Sequence, residues 1–316
     1  MEECSASIDI GSQTIRLLVA HLHDAHHLVP VCRDRAIIRL GEGMHQRAVL
    51  RPDAMDRAIA CIKNFVGIAR TYPTNHILPV CTACVRTAEN SNDFLTRVYD
   101  ATGVLPRVLS GEEEAQLSVR GVLSVLPESI SRTHLLIIDI GGGSTELAYL
   151  KDNELWSTIS ISLGVVSLAE RHLHHDPPHR DELDRLEHDI RSLLSTVPLL
   201  HAIPKERCTL AGTAGTITTL AAMALGMREY DPNVVNSYRL SLHEIENLWL
   251  TLTSLPRAER QKLPGLEPGR ADVIIPGTAA VRELLYRVRA DYLLVSDAGL
   301  LEGILLEHAD KKRVIP

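Results

Sequence analysis

The chain writes one local pattern twice. "SIDIGSQTIRLL" begins at Ser7 and "LLIIDIGGGSTEL" at Leu135, and in each an apolar run ends in an acid, then glycine and small hydroxyl residues, then a second apolar run. Setting Asp9 against Asp139 pairs Gly11 with Gly141, Thr14 with Ser144, Arg16 with Glu146 and Leu17 with Leu147. Apolar runs on both sides of a glycine turn predict a β-hairpin at each place. A duplicated hairpin limits the chain to folds with two similar halves, each opening on the same unit.

Beyond the hairpins, β-rich runs alternate with amphipathic helical stretches, which predicts an α/β protein. In the first half the strands are "SASIDIG", "TIRLLVAHL" and a third in "AIIRLG"; the helix "PDAMDRAIACIKNFVGIAR" follows, then short strands in "HILPVCT" and "PRVLS" around another helix. After Pro127 the pattern restarts with "HLLIIDI", "TELAYL" and "ELWSTISIS"; helices run from Val165, and "CTLAGTAGTITTLAAM" and "YLLVSDAGLLEGILLEH" each read as strand, turn and helix. The expected domains are residues 1–127 and 128–298, with a C-terminal helix at 299–316 joined to the first. No low-complexity linker separates them, so the two lobes are expected to pack around a cleft.

Composition narrows the partners. Aromatics are 3% of 316 residues, too few for a stacking platform on single-stranded nucleic acid, and a net charge of -7 gives no global attraction to a polyanion. Any anion site must be local. The start "MEECSASIDIG" lacks the basic and apolar regions of a signal peptide, and no apolar run approaches the ~18 residues of a spanning helix, so the expectation is a cytoplasmic protein that engages neither membrane nor nucleic acid. Six cysteines in such a chain are expected to be buried thiols.

Glycines beside small hydroxyl residues expose backbone N–H groups, and converging amides cradle phosphate oxygens. One such loop is equally well a tight turn; two copies favour the cradle. Asp139 and Glu146, at the two sides of a hairpin mouth, would repel an anion unless a cation stood between them, and magnesium fits that place. A solvated edge-strand residue is the other reading of Glu146. In "VLSGEEEAQL", Ser110 and Glu113 form a capping box, and Glu112 suits the helix dipole. Glu114 has no such local task, and can orient or deprotonate a water attacking phosphorus. Thr82 is placed to cap the next helix, with Arg86 one turn in as a phosphate contact or a surface ion pair. Cys81 and Cys84 form a C-x-x-C that reads as packing or, less simply, as a redox pair. His172, His174, His175 and His179 read as solvated residues of a polar loop rather than metal ligands. "AGTAGTITTL" offers a third turn, with Gly212, Thr213, Gly215 and Thr216 open to an anion or nucleotide, although a plain strand-to-helix turn explains it nearly as well.

Together "IDIGSQTIRLLV", "CTACVRTAENSNDF", "LSGEEEAQL", "IIDIGGGSTEL", "ISLGVVSLAE", "LAGTAGTITTLAA", "YDPNVV", "GLEPGRADVIIPG" and "SDAGLLEG" resemble, in order and over nearly the whole chain, the exopolyphosphatase and guanosine pentaphosphate phosphohydrolase (Ppx/GppA) family. The resemblance implies two actin-like, ribonuclease H-like lobes of the sugar kinase, heat-shock chaperone ATPase and actin superfamily. It implies hydrolysis of the terminal phosphoryl group of inorganic polyphosphate, or of the 5'-phosphate of guanosine pentaphosphate, with Mg2+ (or Mn2+) and as a homodimer. Glu114 matches the water-activating glutamate and Arg86 a phosphate-contacting arginine. Asp139 and Glu146, with Asp9, match acids near the metal. Gly11, Ser12, Gln13, Thr14 and Arg16, and Gly141, Gly142, Gly143, Ser144 and Thr145, match the two phosphate loops. The chain departs from the family pattern at Gln13 and Thr14, where asparagine and serine are usual, and at Gln116, Ser167 and Leu301, where arginine is usual. The missing cations keep a weakly catalytic sensor of guanosine polyphosphates in view, and the shared fold keeps a kinase or ATPase in view.

Overall fold

The computed structural model describes residues 4–23, 27–204 and 208–314. The chain divides into two compact units, Met1–Ser124 with Ala298–Pro316, and Val125–Asp297.

In the first unit the hairpin strands are β1 (Cys4–Ile10) and β2 (Thr14–Leu22), followed by β3 (Leu28–Ile37), α1 (Pro52–Ala69), β4 (Thr74–Cys81), α2 (Ala83–Thr87), α3 (Ser91–Thr102), β5 (Arg107–Val108) and α4 (Gly111–Val125). The sheet order is β3-β2-β1-β4-β5. The three opening strands are antiparallel, while β4 and β5 run parallel to β1. β1 is buried along its whole length because it is central and covered on both faces. Ala6, Ile8 and Ile10 pack with Ala58, Ile62 and Phe65 of α1. By strand alternation Ser5, Ser7 and Asp9 occupy the other face.

The third strand lies earlier than "AIIRLG" suggests. β3 pairs with β2 from Thr14↔Ile37 to Leu22↔Leu28, so only Ala36 and Ile37 of that run are in it. β3 is an edge strand with mostly exposed or half-exposed side chains and a proline, Pro30, opposite a register shift. Edges tolerate proline and need no apolar alternation, so the usual strand signal is missing there.

The second unit contains β6 (His134–Ile140), β7 (Thr145–Lys151), β8 (Glu154–Ile161), α5 (Val165–His172), α6 (Arg180–Ser195), α7 (Pro198–Ala202), β9 (Thr209–Thr213), α8 (Ala214–Ala224), α9 (Pro232–Val235), β10 (Arg239–Ser241), α10 (Leu242–Ser254), α11 (Arg257–Arg260), α12 (Ile274–Val288) and β11 (Tyr292–Val295). Its order, β10-β11-β9-β6-β7-β8, read from β8 inward repeats the first sheet and adds β10 at the far edge. Each sheet is therefore a ribonuclease H-like 3-2-1-4-5 arrangement opening on its own hairpin.

The last helix, α13 (Leu300–Val314), belongs to the first unit. Leu301 and Leu305 cluster with Leu18 and Ala20, and Leu300 and Ile304 with Val80, Leu109 and Leu117. Burying such side chains contributes roughly 1.5–3 kcal/mol each. Ser7 Oγ donates to the Leu301 carbonyl at 3.0 Å, which ties β1 to this helix. α4 and α13 meet backbone to backbone: a Cβ on Gly121 would overlap the Gly299 carbonyl, and one on Gly303 the Leu117 carbonyl. That contact fixes the depth of α4, and with it the position of Glu114. Among the described residues, no helix is long and apolar enough to cross a membrane.

Candidate active site

The two hairpin turns share one backbone design. Gly11 N–H donates to Thr14 O at 3.1 Å, and Gly141 N–H to Ser144 O at 3.0 Å. Each turn is also backed from outside by a residue the sequence reading did not single out. Behind the first, Gly41 N–H donates to Ser12 O at 2.9 Å, and a Cβ at Gly41 would lie 2.9 Å from Ser12 Cβ. Behind the second, a Cβ on Gly164 would overlap the backbone of Gly142 and Gly143, while Val165 and Val166 N–H donate to the Gly141 and Gly142 carbonyls. The only sequence signal for either is a glycine at the end of an apolar strand run.

Their side chains differ. In the first hairpin Asp9 lies opposite Arg16 in register, and Arg16 Nη2 and Nε reach Asp9 Oδ2 at 2.7 and 3.0 Å. Asp9 is buried, and its Oδ1 has no hydrogen-bond partner among the described residues. Ser12, Gln13 and Thr14 are buried in the turn.

In the second hairpin Asp139 lies opposite Glu146, so two buried carboxylates stand side by side on one face. Thr213 of β9 pairs with Asp139, and Ser160 of β8 with Glu146. Ser144 Oγ and Ser160 Oγ both donate to Glu146 Oε1 at 2.7 Å. Thr145 is fully buried, and its hydroxyl donates to Leu163 O at 2.6 Å, so it serves the packing of the turn.

Glu114 and Arg86 come together within the first unit. Arg86 Nη1 donates to Glu114 Oε2 at 2.8 Å and to Leu109 O at 2.9 Å. Glu114 is buried, and the guanidinium orients its carboxylate. The capping box forms: Glu113 accepts from Ser110 N–H at 2.8 Å, and Ser110 Oγ accepts from Glu113 N–H at 3.2 Å. Thr82 stands at the N-cap position of α2 but makes no side-chain cap bond.

The third turn opens α8. Ala214 takes a left-handed φ of +72°, a costly conformation for an L-residue of the kind found at ligand-binding turns. The guanidinium of Arg270, buried and bonded through Nε to Glu267 at 3.1 Å, lies against the backbone of Gly215. Gly212 and Thr213 end β9, and Thr216 is buried in α8 against Gly277. Arg270 lies in the quoted "GLEPGRADVIIPG", where a lone arginine in a glycine-proline stretch was the only signal.

Other candidates recede. Cys81 and Cys84 are buried free thiols; burial pushes Cys84 up to about 11 and raises Cys81 as well, so neither is a nucleophile at neutral pH. His172 is buried rather than solvated, with Nε2 3.1 Å from Asp189, and burial lowers its pKa. His175 stacks on His179 at 3.7 Å and bonds Glu182 at 3.0 Å. Of the positions where arginine was usual, Gln116 bonds Glu112 at 3.3 Å, Ser167 bonds Gly164 O at 3.1 Å, and Leu301 is core.

The donor set fits magnesium. Asp139 and Glu146 supply hard oxygen ligands with hydroxyl neighbours, and magnesium takes one or two carboxylates and keeps its waters. Among the described residues no group of three or more His, Cys, Asp or Glu is placed to hold a metal.

The chain is similar to known proteins over almost its whole length. A model of the Ppx/GppA phosphatase family matches residues 18–312. Exopolyphosphatase 2 of Mycobacterium tuberculosis is 33% identical over 323 residues, covering 96% of this chain and 98% of the relative. Among solved structures, an exopolyphosphatase-like protein is 31% identical with a TM-score of 0.90, covering 98% of this chain and 99% of its own. The Aquifex aeolicus member of the Ppx/GppA family is 30% identical with a TM-score of 0.81, covering 98% of each chain.

Proposed function

We propose, from the fact that the chain belongs to the Ppx/GppA phosphatase family, that this phosphatase removes the terminal phosphoryl group of inorganic polyphosphate by attack of water. Relatives named exopolyphosphatase support that substrate over guanosine pentaphosphate. The observation that carries the chemistry is the 2.8 Å bond between Arg86 and the buried Glu114. Phosphoryl transfer to water needs positioning and neutralised charge more than covalent catalysis. Glu114, held in place by Arg86, orients a water and accepts its proton. Within each unit the amides of its glycine turn bind phosphate oxygens, and in the first the other donors of Arg86 do so as well.

Asp139 and Glu146 are the residues that would hold magnesium. When bound, the ion neutralises charge on the phosphoryl oxygens. Six free thiols suit a reducing compartment such as the cytoplasm.

The test is phosphate release by the purified protein, with magnesium, from polyphosphates of several lengths beside guanosine pentaphosphate. Faster release from polyphosphate is expected. Release from the nucleotide alone would assign the other family activity, and tight nucleotide binding without turnover would make the protein a sensor.

A further inference from the structure

Glu146 is almost wholly buried, at 2% exposure, and faces the carboxylate-bearing Asp139 across the hairpin. A carboxylate buried in that position needs hydrogen-bond donors to offset its lost hydration. Oε1 has two, the hydroxyls of Ser144 and Ser160, each at 2.7 Å. Ser144 belongs to the turn. Ser160 comes from β8, the edge strand, where its backbone is in register with Glu146. Thr213, Asp139, Glu146 and Ser160 thus form one polar row across four adjacent strands.

We infer that Ser160 is a positioning residue for the divalent cation: its hydroxyl, with that of Ser144, fixes the orientation of the Glu146 carboxylate. The inference rests on Glu146 holding the metal. Two donors, one from the turn and one from β8, pin a carboxylate more firmly than one, because a single hydroxyl leaves rotation about the bond axis free. Partners of this kind around metal-ligating carboxylates typically change metal affinity ~10–100-fold. Strand pairing uses only the backbone at this position, and Ser160 is half-exposed, so removing the hydroxyl leaves the ladder in place.

The experiment is a manganese titration read by electron paramagnetic resonance on full-length wild type, Ser160→Ala, Ser160→Thr and Glu146→Gln, with melting temperatures recorded beside it. Ser160→Ala is expected to bind manganese about 10-fold more weakly with a nearly unchanged melting temperature, and Ser160→Thr to restore binding. Wild-type binding in Ser160→Ala, with weakened binding in Glu146→Gln, overturns the inference alone. Wild-type binding in both overturns it together with the metal role of Glu146. Weakened binding in Ser160→Ala supports it even if polyphosphate proves not to be the substrate.

Discussion

The two hairpins have the same turn hydrogen bond and a backing glycine each, yet opposite charge. Across the first, Asp9 faces Arg16 and Arg16 faces Arg35, so the row is net positive. Across the second, Asp139 faces Glu146, and the flanking partners Thr213 and Ser160 are neutral. The same backbone turn therefore carries different charge: the first hairpin sets a cationic side chain opposite its acid, and the second sets another acid there.

The largest expected effect lies in the first hairpin's own unit, at Glu114 of α4. Glu114→Gln is expected to lower phosphate release by about 10²–10⁴-fold while the fold survives, because the amide keeps a bond to Arg86 but cannot take a proton. Normal release from both polyphosphate and guanosine pentaphosphate would end its assigned role.

Next is Arg16→Gln, which strands the buried Asp9. Its cost should be about 3 kcal/mol, the low end for breaking a buried pair, since Arg16 is 25% exposed. Denaturant unfolding measures it.

The backing glycines come third. Gly164→Ala pushes against backbone, whereas Gly41→Ala meets the Cβ of one small side chain at 2.9 Å. Overpacking costs of roughly 1–3 kcal/mol should fall at the upper end for Gly164 and the lower end for Gly41. Equal losses would mean that the turns are not backed differently.

The smallest effect has the opposite sign. Without metal, Glu146→Gln relieves two facing carboxylates and should raise stability by less than about 1 kcal/mol, at the expense of metal binding. A lower melting temperature in chelator would show that Glu146 is already compensated by the protein.

The two hairpins, and the shared mouth of Asp139 and Glu146, follow from the doubled pattern; the register, with Asp9 opposite Arg16 and Asp139 opposite Glu146, is what the structure adds. Local rules also placed the Ser110–Glu113 box, which involves neighbours on one helix turn. What stayed hidden depends on distant parts of the chain. Ser160 matters because β8 folds beside β7, Gly41 and Gly164 because later segments press on earlier turns, and Arg270 because its loop returns to Gly215. β3 was displaced in the reading because an exposed edge strand carries little apolar signal, and His172 was read as solvated because a histidine-rich polar stretch conceals one buried ring.

The division of labour itself can be measured directly by titrating manganese, with inorganic phosphate present, into Asp139→Asn and Asp9→Asn and reading bound metal by electron paramagnetic resonance. The account predicts that Asp139→Asn loses the site and Asp9→Asn keeps it. Metal retained in Asp139→Asn and lost in Asp9→Asn would contradict it.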